Sequence, residues 1–441
     1  MNRTFNKVKH TTMTNSNQTK ETIEQIRANQ PLYAVKYEKR HRTANIVSLY
    51  KEGYIADPKR QLYLQTKHHV AMRKCTDCQN YGVNVYACTD CGDVIEVKMS
   101  CHHRFCPRCG AAASNKWAEK LGKRLLPMLH GHLVFTLPFY LRKLCKFNEK
   151  LMYDLLFSLA AQAVREIMRE KYGIEVGIIC VLHTFGSDLK YHPHIHLIVS
   201  CGGVKNGKIR ALKHKYLVQH TELAKRFEDL FKAELVKLYG QSALNTEGVI
   251  DEGQDMTAFI EKNDKKGWII GLNLEIQNVD KLIGYCGRYL RRACLSEYRI
   301  KSIDKGMISF DFKDYKNTPK DAKTTLIATK TMTSTAFLDA LLQHVPDKGF
   351  VGVRYYGIYA NGSKALKKIQ EAEKLSTKRS EREAQFPALK AEKEEQSDLA
   401  IFRQYQIYDF LLCPCCGIER THIESYMHGK RFYLSPLVND S

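Results

Sequence analysis

The chain has 441 residues, 44% of them hydrophobic, which is enough to bury sizeable cores in about three domains. Lysine and arginine outnumber aspartate and glutamate by 69 to 47, and the net charge of +22 indicates a polyanionic partner, most often a nucleic acid. The sequence has no apolar run of about 20 residues and no signal-peptide core at its N-terminus. We therefore expect no membrane association and a cytoplasmic location.

Four regions follow one another along the chain. Residues 1–74 are predicted to form a basic, mostly helical N-terminal region, and residues 75–127 a zinc-binding module that recognises DNA. In residues 128–362 strands and helices interleave without the regularity of a doubly wound sheet, so the predicted fold class is α+β. Residues 363–441 are predicted to form a charged, helical extension with a cysteine knuckle at Cys413 and Cys416.

The second region concentrates cysteines at metal-binding spacing. Seven cysteines lie between residues 75 and 109, mostly in C-x2-C pairs, and without a secretory signal such pairs indicate metal ligands rather than disulfides. Tetrahedral zinc takes four nitrogen or sulfur ligands, so seven thiols and one imidazole predict two zinc ions. The predicted ligand sets are Cys88, Cys91, Cys106 and Cys109 for one ion, and Cys75, Cys78, Cys101 and either His102 or His103 for the other.

A module this small has little apolar core, so zinc binding, worth about 10–16 kcal/mol in isolated fingers, would supply most of its folding free energy. Basic residues surround the cysteines, which favours a role in holding DNA; a brace for the neighbouring domain is the alternative, and both roles are compatible. Redox-active or simply buried thiols are the other interpretation of the cysteines.

A second candidate metal site lies at His194-Ile-His196. Side chains alternate along a strand, so both imidazoles point to the same face. His192 shares that face, but it lies roughly 13 Å from His196 at about 3.3 Å per residue, so the third ligand should come from the neighbouring strand, where His183 is well placed. We expect Mg²⁺ or Mn²⁺, which keep positions open for substrate oxygens. Surface histidines, with His183 bonded to backbone, are the alternative.

Two tyrosines downstream complete a possible reaction centre. Tyr285 and Tyr289 are four residues apart, which on a helix places both hydroxyls on one face. A tyrosine hydroxyl becomes a useful nucleophile when a metal polarises the phosphate that it attacks. Arg288, Arg291 and Arg292 can then hold flanking phosphates. Core packing on an amphipathic helix is the alternative for the tyrosine pair.

Taken together, these motifs resemble the two-tyrosine rolling-circle transposases of insertion sequences, a branch of the HUH endonucleases. The resemblance rests on His194-Ile-His196, on Tyr285-x3-Tyr289 and on the cysteine segment that ends at Cys109. It extends over about residues 63–361 and includes the run His132-Leu-Val-Phe-Thr-Leu-Pro138.

The resemblance implies an HUH domain over residues 128–362, with an antiparallel sheet and flanking helices, preceded by a helical and zinc-binding module. It also implies a reaction in which a tyrosine cleaves one DNA strand, leaving a 5′-phosphotyrosyl link and a free 3′-OH that host replication enzymes extend. The partners would be single-stranded or hairpin ends of a mobile element and its target. The alternatives are a replication initiator or relaxase of the HUH class, or a non-catalytic zinc DNA-binding regulator.

Overall fold

The computed structural model describes residues 42–375 apart from 79–80, 89, 123, 127, 213–217, 266, 274–292, 320 and 323, together with residues 420–427 and 430–434. The chain divides into two compact units, one of residues 1–112 with 395–441 and one of residues 113–394. The described residues form helices and antiparallel sheets, which confirms the predicted α+β class. None of the described helices is long and apolar enough to cross a membrane.

The elements are labelled in chain order within the described residues. The helices are α1 (Arg42–Ala56), α2 (Pro58–Gln61), α3 (Thr66–Thr76), α4 (Pro107–Gly122), α5 (Arg142–Phe147), α6 (Glu149–Tyr172), α7 (His220–Gly240), α8 (Met256–Asn263), α9 (Ser334–Leu342) and α10 (Lys364–Leu375). The strands are β1 (Gly82–Ala87), β2 (Val94–Lys98), β3 (His130–Thr136), β4 (Glu175–Phe185), β5 (Tyr191–Lys205), β6 (Lys208–Ala211), β7 (Ile270–Asn273), β8 (Ile300–Asp304), β9 (Met307–Lys313), β10 (Ile327–Thr333), β11 (Val353–Gly357), β12 (Thr421–Met427) and β13 (Lys430–Leu434).

In the first unit a four-stranded sheet has the order β13-β12-β1-β2. Its central pairing joins segments from the N-terminal and C-terminal parts of the chain, since Ala87 at the end of β1 lies opposite Thr421 at the start of β12. Next to this pair, Arg420 Nε donates to Asp93 Oδ2 at 2.9 Å. The helical prediction for residues 363–441 is therefore wrong for β12 and β13, where β-branched and aromatic residues favour strands, but helix α10 agrees with it.

The main sheet of the second unit has the order β11-β4-β5-β3-β7, with β6 paired to β5, and its neighbouring strands are antiparallel. One face packs on α6, α7 and α8, and Leu156, Phe157 and Ile195 are fully buried there. Each such side chain contributes about 1.5–3 kcal/mol. Helix α6 ends where Gly173 adopts a left-handed conformation with φ of 64°.

Because side chains alternate along each strand, the two faces of this sheet collect different residues. On β5, Ile195, Leu197 and Val199 face the helical core, and Ile198 belongs to a second buried cluster with Trp117 and Tyr359. The even-numbered histidines of β5 therefore share the face of Ile198, away from α6.

Two smaller features complete the second unit. Strands β8, β9 and β10 form a separate three-stranded antiparallel sheet. Strands β5 and β6 are joined by Asn206 and Gly207, with φ of 50° and 74°, the positive values that a tight hairpin turn requires and that the Asn-Gly pair predicts.

Candidate functional site

Three histidines converge on two neighbouring strands of the main sheet. His183 on β4 lies directly opposite His194 on β5, and His196 follows two residues later on the same face. His196 Nε2 and His183 Nδ1 are 3.1 Å apart, and one nitrogen of each of the three rings lies within 4.8 Å of the others. The structure thus brings together the three side chains that the sequence suggests as metal ligands.

Burial disfavours the charged form of two of these imidazoles. Desolvation lowers the pKa of His194 to about 4, and it lowers the pKa of His196 well below its ordinary value, with His183 as a further cause. Neutral imidazoles offer the lone pairs that a cation needs. Three imidazoles whose ring nitrogens face one another therefore fit a metal ion chemically.

Hydrogen bonds assign the ring nitrogens within the cluster. His194 Nδ1 donates to the backbone carbonyl of His192 at 2.7 Å, which leaves His194 Nε2 as the ligand atom. The backbone carbonyl of His192 therefore holds the ring of His194 in place. Its own side chain is partly buried, and burial lowers its pKa to about 4, with His194 as the next cause.

A fourth histidine supports the cluster from β3, the other neighbour of β5. His132 Nε2 lies 2.9 Å from His196 Nδ1, and the two rings are stacked at 5.1 Å with 6° between their planes. Since His196 Nε2 faces His183, its Nδ1 is the nitrogen left for His132. The sequence interpretation missed this contact, although strand periodicity places His132 on the same face of β3 as Val134, which lies opposite His196.

The predicted nucleophiles and their arginine neighbours lie outside the described residues: Tyr285, Arg288, Tyr289, Arg291 and Arg292. Strand β7 pairs with β3, and its last residue, Asn273, lies opposite His132. The described chain therefore ends at Asn273 on a strand that β3 separates from β5, the strand of His194 and His196.

Four cysteines form a second cluster, in the first unit. The Sγ atoms of Cys78, Cys101, Cys106 and Cys109 all lie within 4.8 Å of one another, and all four side chains are buried. The Sγ separations are 3.6 Å for Cys78–Cys109, 3.4 Å for Cys101–Cys109 and 3.8 Å for Cys78–Cys106. A tetrahedral ion with Zn–S bonds of about 2.3 Å requires separations of about 3.8 Å. The four thiols therefore fit zinc.

Charge also suits metal binding here. Contacts with Cys101 and Cys106 lower the pKa of the Cys109 thiol to about 7. Cys109 lies in the first turn of α4, where the helix dipole favours a thiolate. Both the neighbouring thiols and the helix dipole therefore favour the thiolate form that a metal binds.

The described thiols group differently from the predicted pairing of zinc ligands. Cys88 and Cys91 lie in the turn between β1 and β2, which Cys88 N closes by donating to Asp93 O at 2.8 Å, and they join no metal-binding group among the described residues. The end of α3 instead brings Cys78 to the start of α4. Cys75 is buried and contacts Cys106.

The predicted histidine ligand is not brought to the thiols either. The exposed His102 adopts a positive φ of 49°, and its Nε2 lies 3.5 Å from Ser100 Oγ, whereas His103 Nδ1 accepts from the backbone of Phe105 at 3.2 Å. Within the described ranges, the metal-binding group of this module contains thiols alone. Cys413 and Cys416 lie outside the described residues.

Comparisons with known proteins match both clusters. A family model described as a transposase zinc-binding domain matches residues 46–137, which include the four thiols. A second, described as a putative transposase, matches residues 177–367, which include the three histidines and both tyrosines. No solved structure matches the chain significantly.

Two relatives are similar over most of their length. A putative transposase of Sinorhizobium fredii, y4qJ, is 29% identical over 334 residues, covering 74% of this chain and 82% of that protein. The transposase for insertion sequence element IS801 of Pseudomonas savastanoi pv. phaseolicola is 32% identical over 307 residues, covering 67% of this chain and 71% of that protein.

Proposed function

Because the chain belongs to the family of insertion-sequence transposases that includes the IS801 protein, we propose that it cuts and rejoins single DNA strands by tyrosine transesterification, in rolling-circle transposition. The observation that carries the proposal is the convergence of His183, His194 and His196 into one group of ring nitrogens. A metal-binding group of this kind, in a strongly basic chain that binds DNA, suits phosphoryl transfer.

In the proposed reaction the hydroxyl oxygen of Tyr285 or Tyr289 attacks the scissile phosphorus. The tyrosine loses its proton, a P–O bond to tyrosine forms, and the bond from phosphorus to the 3′ oxygen breaks. The 3′ oxygen takes up a proton, so the products are a 5′-phosphotyrosyl link and a free 3′-OH. Because one phosphoester replaces another, no nucleoside triphosphate is consumed, and the step is reversed by attack of a 3′-OH.

The three histidines would hold a divalent cation, Mn²⁺ or Mg²⁺. When bound, the ion supplies charge that polarises the scissile phosphate. Three nitrogen donors suit Mn²⁺ better than Mg²⁺, which prefers oxygen ligands, so we expect higher affinity for Mn²⁺. His132 fixes the ring of His196, and the His192 carbonyl fixes that of His194, so the ligand atoms are set before the ion arrives.

The remaining residues would handle the DNA. Two tyrosines allow two cleavages, one at each end of the element or one at the target, and Arg288, Arg291 and Arg292 would hold the flanking phosphates. The zinc-binding domain would recognise single-stranded or hairpin ends, with Cys78, Cys101, Cys106 and Cys109 as ligands of one zinc ion. Host replication enzymes in the cytoplasm would then extend the free 3′-OH.

Two other functions use the same features. A replication initiator or relaxase of the HUH class would share the chemistry, but both relatives named above are transposases, which favours transposition. A non-catalytic zinc regulator would bind DNA without any covalent step.

A labelled single strand from the ends of the element, incubated with the protein and Mn²⁺, separates the enzyme from the regulator. We expect a covalent protein–DNA adduct in denaturing gels. His194→Ala with His196→Ala should abolish the adduct while DNA binding persists. The control is His69→Ala, a described histidine outside the cluster, which should leave the adduct intact. Absence of adduct from the wild-type protein with Mn²⁺ and with Mg²⁺ would contradict the proposal.

A further inference from the structure

An aromatic ring is exposed close to the histidine cluster. Phe139, in the short turn Phe139–Leu141 after β3, is 82% exposed. The turn itself is well packed, because Leu141 N donates to Pro138 O at 3.1 Å and the side chains of Leu141 and Leu144 are fully buried. Single exposed aromatic rings are common on protein surfaces, so the meaning of this one depends on its surroundings.

The turn begins at the end of β3, which pairs with the strand that carries His194 and His196. Thr136, the last residue of β3, lies opposite His194, and Leu137 N donates to Pro193 O at 3.1 Å. These two pairings fix the backbone immediately before Phe139 to the backbone of Pro193 and His194. The exposed ring therefore projects from a segment that is held against the candidate metal site.

A positive charge lies against the exposed ring. The guanidinium carbon of Arg142 is 5.4 Å from the centroid of the Phe139 ring. Arg142 is also the first residue of α5, directly after the turn whose preceding backbone is paired with Pro193 and His194. The ring and the guanidinium therefore belong to one short segment that begins beside the histidine cluster.

The guanidinium of Arg142 has hydrogen-bonding capacity to spare. Among the described residues no ion pair joins it to an acidic side chain, and its Nε is buried without a hydrogen-bond partner. Asp188, an acidic residue whose charge reaches Arg142, forms an ion pair with Lys190 at 3.0 Å. A guanidinium presents five donors in a planar fork that matches phosphate oxygens.

We propose that Phe139 and Arg142 bind one nucleotide of single-stranded DNA beside the histidine cluster: the Phe139 ring stacks on the base and Arg142 binds its phosphate. Aromatic stacking is the general means by which proteins hold single strands, since every base has a face to offer. This site deepens the proposed function and rests on it for the identity of the strand. Binding here requires neither the cation nor the tyrosines.

A local fluorescence reporter tests the stacking. The native Trp117 and Trp268 are buried, at 8% and 6% exposure, so Phe139→Trp adds an indole that DNA can reach. The full-length variant is titrated with oligothymidylate of about 20 nucleotides, without added divalent metal. We expect quenching of the added emission. The control is Phe147→Trp, at a ring 49% exposed at the end of α5, whose emission should not change. Equal responses of the two variants, or none from Phe139→Trp, would overturn the proposal.

Affinity measurements test the pair directly. Phe139→Ala should weaken oligothymidylate binding about tenfold, a typical loss for one stacked base. Arg142→Gln should lower the slope of log affinity against log salt by about 0.7, whereas Lys143→Gln, the same charge change one residue along α5, should leave the slope unchanged. Equal slopes for Arg142→Gln and Lys143→Gln would refute the phosphate contact.

The two proposals fail separately. A protein that forms the covalent adduct without quenching at Phe139→Trp keeps the proposed function and loses this site. A protein that shows the quenching without any adduct keeps the site as a DNA-binding surface and loses the proposed chemistry.

Discussion

His132 provides the sharpest test of how the histidine cluster is organised. Its Nε2 lies 2.9 Å from His196 Nδ1, in a position only 3% exposed. Replacing it with phenylalanine keeps a ring of similar size but removes the hydrogen bond that orients His196. Loss of such a supporting partner typically costs 10–100-fold in metal affinity, or about 1.4–2.7 kcal/mol. We therefore expect Mn²⁺ to bind His132→Phe about 10–100-fold more weakly than it binds the wild-type protein.

The strand that carries His132 also supplies a matched control. His130 lies two residues earlier on β3, is 2% exposed, and hydrogen-bonds to Tyr359 Oη at 2.7 Å rather than to the cluster. His130→Phe should cost a similar amount of stability, about 1–3 kcal/mol for the partner left unsatisfied, but it should leave Mn²⁺ affinity unchanged. Isothermal titration of both zinc-loaded variants with Mn²⁺ measures the difference. Equal affinity of the two variants for Mn²⁺ would refute the orienting role of His132.

Three further predictions concern zinc, pH and salt. Cys106→Ser should remove one zinc ion per chain by elemental analysis, because it takes away one of the four thiols that the described cluster brings together. Cys201→Ser, buried in the other unit, should remove none, and unchanged zinc in Cys106→Ser would contradict the ligand set. Burial lowers the pKa of His130 to about 4 from 6.5, so the unfolded state binds the proton first as the pH falls. The contribution of this group to the free energy of unfolding is complete above about pH 6.5 and should fall by about 2 kcal/mol between pH 7 and 5. In urea unfolding over this range, His130→Phe should therefore lose less stability than the wild-type protein. Changing Arg291 and Arg292 together to glutamine should lower the salt slope of single-strand binding by about 1.4, and an unchanged slope would show that these residues do not contact phosphate.

The parts of the fold that local pattern controls agree with the sequence predictions. Apolar residues recur at helical spacing along α6, where Leu155, Leu159 and Val164 are buried, and continuous apolar runs around Cys180 and Leu197 form the buried parts of β4 and β5. Alternation along a strand predicts that His194 and His196 share one face, and the neighbouring strand, which directly precedes them in the chain, was predicted to supply His183 as the third ligand. These inferences needed only neighbours in sequence.

The parts that failed depend on partners distant in sequence. The pairing of β12 with β1 joins residues more than three hundred positions apart, and no periodicity within residues 421–434 specifies that partner. The described thiols group differently from the predicted pairing for a related reason, because C-x2-C spacing shows which cysteines can turn towards a metal but not which of these turns come together. His132 was missed because its contact with His196 crosses from β3 to β5, and the order of strands in a sheet cannot be read from one strand.

The identity of the residue that becomes linked to DNA decides whether Tyr285 and Tyr289 form the reaction centre. The adduct formed with labelled single-stranded end DNA and Mn²⁺ is digested with protease and nuclease, and the modified peptide is sequenced by mass spectrometry. We predict a phosphotyrosyl nucleotide on Tyr285 or Tyr289, and no adduct in the variant with Tyr285→Phe and Tyr289→Phe. A link at Tyr298, Tyr315 or any other residue, or an adduct that persists in the double variant, would contradict the proposed reaction centre.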